Sequence, residues 1–226
     1  MMPVPGALAL RQHGAECLQG AARGILPALK ALADALPTER AGSRLHGTPA
    51  LSALLAADAP LGRLAAAHLG AASRPVRALL FDKTPATNWA LGWHQDRVIV
   101  VRERIETAGY GPWSIKRGLI HVAPPPELHA AMLTMRVHVD AVPANNAPLL
   151  VAPGSHRLGR IAEDRIAAVV RDHGSVACLA EAGDVWLYAT PIVHASAVAE
   201  HIGRRRVLQI DFAAEDLPGG LRWLGV

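Results

Sequence analysis

Two histidines and one aspartate have the residue types and spacing that a metal site requires. His94 and Asp96 lie two residues apart in the segment NWALGWHQDR, residues 88–97, and His194 follows the segment GDVWLYATPIV. Residues two apart in a β-strand point to the same side, so His94 and Asp96 can both face one ion. Two imidazoles and one carboxylate that leave positions open are the usual ligands of non-haem Fe(II) oxygenases. The sequence therefore offers a candidate iron site.

A second pair, His138 and Asp140 in the segment TMRVHVD, has the same spacing. The chain contains 11 histidines, so a His-x-Asp pair is weak evidence of a metal site when it stands alone. The second pair stays open as an alternative site. Otherwise His138 is expected to be a core or pocket histidine, and Asp140 a turn residue at a strand end.

A run of three arginines follows His194 and begins the segment RRRVLQIDF. A dicarboxylic cosubstrate requires a cation with two-pronged hydrogen bonding near the metal, and the guanidinium group of arginine provides it. Alternate residues of a strand point to opposite faces, so Arg204, Arg205 and Arg206 cannot all enter one pocket. At least one of them is expected to lie in a solvated basic turn.

The elements that must position these residues change in character near residue 75. Before it, apolar residues recur at three- and four-residue steps through residues 18–36 and 48–70, which predicts amphipathic helices joined by a polar loop, residues 37–47. After it, short β-rich runs alternate with proline and glycine, which predicts an antiparallel sandwich or barrel. The predicted strands are residues 76–81, 97–103, 132–140, 148–153, 175–180, 184–189 and 206–213. The short helices predicted among them are residues 124–133 and 165–174.

Length and composition predict a single domain over residues 1–226. A helical N-terminal layer, residues 1–75, is expected to pack on a β-rich core, residues 76–213. Hydrophobic residues make up 51% of the chain, which is enough to fill such a core. The predicted fold class is mainly β with a helical layer, that is, α+β.

Charge, cysteine content and hydropathy argue against several classes of protein. The formal net charge is +4, but the basic residues are scattered, so no nucleic-acid partner is expected. The two cysteines are far apart and lack metal-binding spacing, which argues against a disulfide scaffold and a zinc ribbon and fits a reducing cytoplasm. No apolar stretch approaches the ~20 uninterrupted residues of a membrane span. The sequence gives no indication of the oligomeric state.

Four segments, taken in order, resemble the phytanoyl-CoA dioxygenase family: FDKTPATNWALGWHQD, PLLVAPGSHRLGRI, AGDVWLYATPIVHAS and RRRVLQIDF. The resemblance covers residues 76–213, most of the β-rich part. Members of this family are Fe(II)- and 2-oxoglutarate-dependent oxygenases on a double-stranded β-helix, a jelly roll of cupin type. The resemblance implies Fe(II), 2-oxoglutarate and O₂ as cofactor and cosubstrates. It also implies hydroxylation of a C–H bond of a small molecule, with release of succinate and CO₂.

The resemblance implies roles for five residues around the metal. The WHQD segment implies His94 and Asp96 as ligands, and the later segment implies His194 as the third. Arg205 and Ser196 are implied to bind the far carboxylate of 2-oxoglutarate. Related halogenases carry a small residue in place of the aspartate, so an aspartate at this position implies hydroxylation or a related oxidation.

Six further residues are candidates for the surroundings of the site, and two of them are tryptophans expected to form its wall: Lys83, Asn88, Trp89, Trp93, Arg136 and His156. Lys83 and Asn88, in the first segment, are implied to contact the cosubstrate or to support its contacts. His156, in the PGSH segment, is implied to lie on the substrate side. Arg136 is a candidate substrate contact.

Two departures from the family pattern bear on the substrate. The family commonly has Asn-Gly ahead of the PGSH segment, whereas this chain has NNAPLL. The chain is also short for the family, which makes a coenzyme A thioester a less fitting substrate than a small molecule. Two other functions stay open: a cupin-type metal-dependent isomerase or lyase without 2-oxoglutarate, and a non-catalytic binding protein that holds no metal.

Overall fold

The computed structural model describes residues 8–36, 41–200 and 203–226. The helices are α1 Leu10–His13, α2 Leu26–Asp34, α3 Pro49–Leu54, α4 Pro60–Leu69, α5 Pro126–Ala130 and α6 Ile166–His173. None of these helices has the length and apolar character that a membrane crossing requires. The strands are β1 Ala15–Leu18, β2 Gly42–Leu45, β3 Arg74–Lys83, β4 Leu91–His94, β5 Ile99–Val101, β6 Trp113–Lys116, β7 Leu119–Val122, β8 Leu133–His138, β9 Leu149–Val151, β10 Val176–Cys178, β11 Val185–Ala189, β12 His194–Ser196 and β13 Arg205–Ala213.

Two antiparallel sheets form the core of the fold. The larger has the strand order β1-β11-β8-β13-β3-β2, and the smaller has the order β10-β9-β12-β4. Side chains from both sheets line one cavity, so the sheets face each other as a double-stranded β-helix. A third sheet, with the order β5-β7-β6, follows β4 in the chain. The predicted fold class is confirmed.

The outer face of the larger sheet is covered by the N-terminal helices. Leu208, Ile210 and Phe212 occupy alternate positions of β13 and belong to one buried cluster with Leu51 of α3 and Leu61 of α4. Burial of each such side chain contributes about 1.5–3 kcal/mol to stability. The helical layer therefore holds one side of the sheet and leaves the other free for chemistry.

The inner face of the same sheet is polar. Arg205, Gln209 and Asp211 occupy the alternate positions of β13 and are buried. Arg136 of β8 is the register partner of Gln209, and Arg77 of β3 is the register partner of Asp211. Charged residues are rarely buried unless they are paired or functional, so this face is where a site is expected.

Each of the seven predicted strands overlaps a strand of the structure, but three predictions in the N-terminal half are wrong. The predicted loop at residues 37–47 contains β2, although residues 37–40 lie outside the described part of the chain. The helix predicted over residues 48–70 is two helices, because Pro60 lacks the N–H that a continuous helix needs and begins α4 instead. The helix predicted over residues 18–36 becomes α-helical only at Leu26.

Candidate active site

His94, Asp96 and His194 meet at one end of the smaller sheet. His94 is the last residue of β4, and His194 is the first residue of β12, which pairs with β4 so that the two histidines are register partners. Their ring centroids are 4.3 Å apart. Asp96 lies beyond the end of β4, not within a strand as its spacing predicted. The possible ligand atoms of the three residues all lie within 4.8 Å of one another, and no other such group occurs among the described residues.

Both histidines are held by the same kind of backbone contact. The Nδ1 of His94 is 2.8 Å from the carbonyl oxygen of Gly92, and the Nδ1 of His194 is 2.9 Å from that of Ile192. A carbonyl only accepts, so each Nδ1 donates and carries the proton. Each Nε2 therefore keeps its lone pair for a metal, as in most histidine-ligated metal sites.

The electrostatics of the three residues suit a divalent cation. Burial lowers the pKa of His194 to about 4, which keeps the imidazole neutral. Burial would raise the pKa of Asp96, but Arg77 and the two histidines outweigh it and lower that pKa to about 2. Two neutral imidazoles and one ionised carboxylate are the donor set that Fe(II) takes in facial-triad sites. The residues present fit the metal.

A cavity of about 480 Å³ lies beside the three residues, between the two sheets. Apart from the three candidate ligands, the lining residues that matter for binding are Phe81, Trp89, Arg136, Ser196, Arg205 and Gln209. The cavity therefore brings together residues from β3, β8, β12 and β13 that are far apart in the sequence.

Arg205 and Arg136 place two guanidinium groups in this cavity. Arg205 is 2% exposed and donates to the carbonyl of Ala147, while its Nε has no hydrogen-bond partner among the described residues. Arg136 donates to the Oε1 of Gln209 at 2.8 Å and lies over the ring of Phe81. Burial, and then the charge of Arg136, lower the pKa of Arg205 to about 9. Neither guanidinium pairs with a carboxylate of the described chain, so the cavity suits an anion.

Lys83 and Asn88 support this cavity from behind. Lys83 donates to the carbonyls of Trp89 and Ala197, at 2.6 and 2.7 Å, and lies 3.3 Å from the Oγ of Ser196. Asn88 forms two hydrogen bonds with the backbone of Ala199, at 3.1 and 2.9 Å. Both residues fasten the segment after β12, and neither lines the cavity.

The structure corrects the expectations for Trp93 and His156. Trp93 adjoins His94 in β4, so its side chain points to the opposite face and packs near Val193 instead of lining the cavity. Trp89 supplies the tryptophan of the cavity wall. His156 lies against Gly14, where an added Cβ would come within 2.3 Å of its Nδ1, and it does not line the cavity.

The alternative pair, His138 and Asp140, is not assembled as a metal site. Arg206 donates to both oxygens of Asp140, with contacts of 2.8–2.9 Å. His138 is buried in the interior near Arg136 and Arg205, and neither of its ring nitrogens has a hydrogen-bond partner among the described residues. Neighbouring arginines of the run therefore have different positions. Arg205 lines the cavity, whereas Arg206 binds the carboxylate of Asp140 outside it.

Sequence reasoning missed a second cavity and the residues around it. This cavity also borders Asp96 and is lined by Gln95, His129 and Arg160 among others. Arg77, which contacts Asp96 directly, was missed as well. No motif marks Arg77 or His129, because each reaches the site only through the pairing or packing of its element.

Comparisons with known proteins give matches in sequence and in fold. The sequence model described as phytanoyl-CoA dioxygenase matches residues 30–206. No curated protein sequence matches the chain.

Several solved structures share the fold. EctD from S. alaskensis, with 2-oxoglutarate and 5-hydroxyectoine, is 20% identical with a TM-score of 0.64, and the match covers 94% of this chain and 78% of that one. HygX from Streptomyces hygroscopicus, with nickel and 2-oxoglutarate bound, is 14% identical with a TM-score of 0.62 and coverage of 94% and 87%. SnoN, a non-heme alpha ketoglutarate dependent epimerase from nogalamycin biosynthesis, is 16% identical with a TM-score of 0.60 and coverage of 93% and 87%.

Proposed function

The chain belongs to the phytanoyl-CoA dioxygenase family, and on this basis we propose that it hydroxylates a C–H bond of a small molecule at a centre formed by His94, Asp96 and His194. Members of this family are oxygenases that use Fe(II), 2-oxoglutarate and O₂ and act on small molecules. The observation that carries the proposal is the meeting, in one cavity, of three side chains of metal-ligand type and two guanidinium groups that pair with no carboxylate among the described residues. The first group fits a divalent cation, and the second fits a dicarboxylate.

His94, His194 and Asp96 would hold the iron, the histidines through Nε2 and the aspartate through a carboxylate oxygen. When bound, iron and 2-oxoglutarate would activate O₂, the oxidant of the reaction: one oxygen atom would enter the substrate, and the other would enter succinate as 2-oxoglutarate loses CO₂. The protein's own contribution is to fix the ligands and to exclude water. The hydrogen bonds of both Nδ1 atoms keep the rings oriented, and the burial of His194 keeps it neutral.

Arg205 and Ser196 would bind the far carboxylate of 2-oxoglutarate. The Nε of Arg205 is free among the described residues, and the hydroxyl of Ser196 lines the same cavity. The Nζ of Lys83 donates a hydrogen bond to the Oγ of Ser196 at 3.3 Å and so holds that hydroxyl in place. Arg136 adds a second positive charge in the same cavity, which favours the doubly charged cosubstrate or an acidic group of the substrate.

The second cavity is the proposed entrance for the substrate. It borders Asp96 on a side that the cosubstrate cavity does not occupy, and His129 and Arg160 line it. A substrate in this cavity would reach the metal without displacing the cosubstrate. Its lining of proline and polar side chains suits a small polar molecule.

Three other reactions would give different products from hydroxylation, so product analysis distinguishes them. A cupin-type isomerase or lyase would not require Arg205 and Ser196, so their presence in the cavity disfavours it. The fold also supports epimerisation, because SnoN is named as an epimerase. An aspartate ligand at position 96, instead of a small residue, supports hydroxylation over halogenation.

The test is an anaerobic titration of the Fe(II)-loaded protein with 2-oxoglutarate, followed by the weak visible charge-transfer band of the chelate. We expect the band in the wild type and in His68→Ala, whose histidine is exposed on α4. We expect no band in His194→Ala. Failure of the fully metal-loaded wild type to give the band would refute the use of 2-oxoglutarate at this site.

A cytoplasmic location forms part of the proposal. Both cysteines, Cys17 and Cys178, carry free thiols and form no disulfide. Free thiols persist in reducing compartments, and ferrous iron is also maintained there. Fractionation of the host cell with detection of the intact chain tests the location.

A further inference from the structure

Arg77 lies between two carboxylates, the buried Asp211 and the half-buried Asp96, and contacts both. Its Nη2 is 3.0 Å from the Oδ2 of Asp96, and its Nε is 2.5 Å from the Oδ2 of Asp211. The side chain of Arg77 is 14% exposed, and that of Asp211 is 4% exposed. One guanidinium fork therefore links a candidate metal ligand to a second acidic group that does not belong to the ligand set.

The far side of this link is firmly anchored. Asp211 and Arg77 are register partners in the pairing of β13 with β3, so the backbone fixes their separation. The Oδ1 of Asp211 accepts a hydrogen bond from Thr134 at 3.1 Å, and Thr134 is 3.1 Å from the hydroxyl of Thr190. Arg77 is thus held by the larger sheet and reaches across the interior to Asp96.

The charges at this point are arranged to leave one carboxylate for the metal. Arg77 offsets the charge of Asp211, and a single negative charge remains on Asp96. Without the guanidinium, the carboxylates of Asp96 and Asp211 would lose the cation that they share, and the charge of Asp211 would be left buried without a partner cation. The contact also occupies one oxygen of Asp96, Oδ2, and leaves Oδ1 free.

We propose that Arg77 is a positioning residue that limits Asp96 to binding the metal through one oxygen and so preserves the position that 2-oxoglutarate needs. The inference rests on the proposed function, because it takes Asp96 as a metal ligand. A carboxylate that turned to bind through both oxygens would take an additional position at the ion. It would also bring a second negative charge, that of the freed Asp211, towards a doubly charged cosubstrate.

Arg77→Met separates this role from a general contribution to folding, because two measurements move in opposite directions. Co(II) alone, titrated into the metal-free protein, should bind at least as tightly as it binds the wild type, since a repelling cation is lost and the Oδ2 of Asp96 is released. The affinity for 2-oxoglutarate, measured from the charge-transfer band of the Fe(II) protein without oxygen, should fall roughly tenfold. A purely structural role would weaken both.

Two variants complete the design. Arg77→Lys should recover part of the cosubstrate affinity, because one ammonium restores the charge but cannot bridge both carboxylates. Arg74→Met removes an arginine of the same strand that pairs with the exposed Asp216, and it should change neither affinity. If Arg77→Met does not fold, Arg77→Met combined with Asp211→Asn removes the charge pair together and should still weaken cosubstrate binding, because the Oδ2 of Asp96 is released, but by less than tenfold, because the charge of Asp211 is gone.

Equal cosubstrate affinity in the wild type and a folded Arg77 variant would overturn this inference and leave the proposed function intact. A parallel loss of cobalt and cosubstrate binding would also overturn it, because it would assign Arg77 a structural role. If the wild type bound neither Co(II) nor 2-oxoglutarate, the proposed function itself would be overturned. Retained cobalt affinity with weakened cosubstrate binding supports the inference.

Discussion

The side-chain amide of Gln95 donates a hydrogen bond to the carbonyl oxygen of Pro191, 2.6 Å away. Gln95 separates the two candidate ligands of the WHQD segment, and Pro191 lies shortly before the third. The same amide group donates to the carbonyl of Gly159 at 2.9 Å, and the side-chain oxygen accepts from the backbone N–H of Ile161 at 2.9 Å. One buried side chain therefore ties three segments around the metal centre.

Gln95→Leu should destabilise the protein and weaken metal binding. The change leaves the buried backbone groups of Pro191 and Ile161 without their partner, and each such group costs about 1–3 kcal/mol, whereas the carbonyl of the exposed Gly159 can turn to water. We expect the free energy of unfolding, from urea denaturation of the metal-free protein, to fall by about 2–4 kcal/mol. Gln12→Leu, at an exposed position of α1, is the matched control and should change stability little. Equal unfolding curves for wild type and Gln95→Leu would refute the role.

Metal binding should stabilise the wild type through the three candidate ligands. A ligand that binds only the folded state at about 100 times its Kd adds about 2.7 kcal/mol. We expect Ni(II) to raise the Tm of the wild type and of His138→Ala, but not that of His94→Ala or Asp96→Ala. A loss of the nickel-dependent shift in His138→Ala would instead assign the metal to the alternative pair.

Arg205→Ala should weaken the binding of 2-oxoglutarate far more than Arg204→Ala. Arg205 is buried in the cavity, whereas Arg204 pairs with Asp34 and Asp82 near the surface. A hydrogen bond to a charged group contributes about 1.5–3 kcal/mol, so we expect the cosubstrate requirement to rise by about 10- to 150-fold. Steady-state succinate formation at varied 2-oxoglutarate measures it. Equal effects of the two substitutions would contradict the assignment of Arg205.

Acid should destabilise the metal-free protein through His138. Burial first, and then the charges of Arg136 and Arg205, lower the pKa of His138 to about 3, well below its ordinary value of 6.5. Between pH 6.5 and pH 3 the unfolded chain binds a proton at His138 that the folded chain does not bind. The free energy of unfolding therefore falls as the pH drops from 6.5 towards 3, and this loss is absent above pH 6.5. His138→Leu should reduce the slope of the unfolding free energy against pH by an amount that corresponds to at most one bound proton. An unchanged slope in His138→Leu would rule out this residue as the source.

Much of the core was predictable because alternation along a buried strand is visible in the sequence. β3, β8 and β13 are long enough to show the alternation of apolar and polar residues. β4 and β12, which carry the two histidines, have four and three residues, too few for any periodic signal. The candidate site was therefore predicted from its motifs, whereas β4 and β12, the strands that hold its two histidines, were not predicted.

The errors at the site have a common physical origin. Trp93 could have been excluded, because alternation turns it away from the side that His94 faces. His156 and Arg77 could not have been placed from the sequence, since one contacts the N-terminal segment and the other lies opposite Asp211 through strand pairing. Motifs identify the chemistry of a residue, and only the tertiary structure determines which neighbours it meets.

The pairing of His94 with His194 across β4 and β12 also has a kinetic consequence. His94 and Asp96 lie on one side of a very long stretch of chain and His194 lies on the other, so the three candidate ligands converge only once the smaller sheet has closed. Iron added during refolding would encounter scattered imidazoles and carboxylates, and it could not nucleate the fold. The ion joins a nearly finished barrel and then acts as a cross-link that slows its opening. Metal loading is thereby the last event in maturation, and a preparation depleted of iron would be expected to unfold faster, at a similar rate of folding.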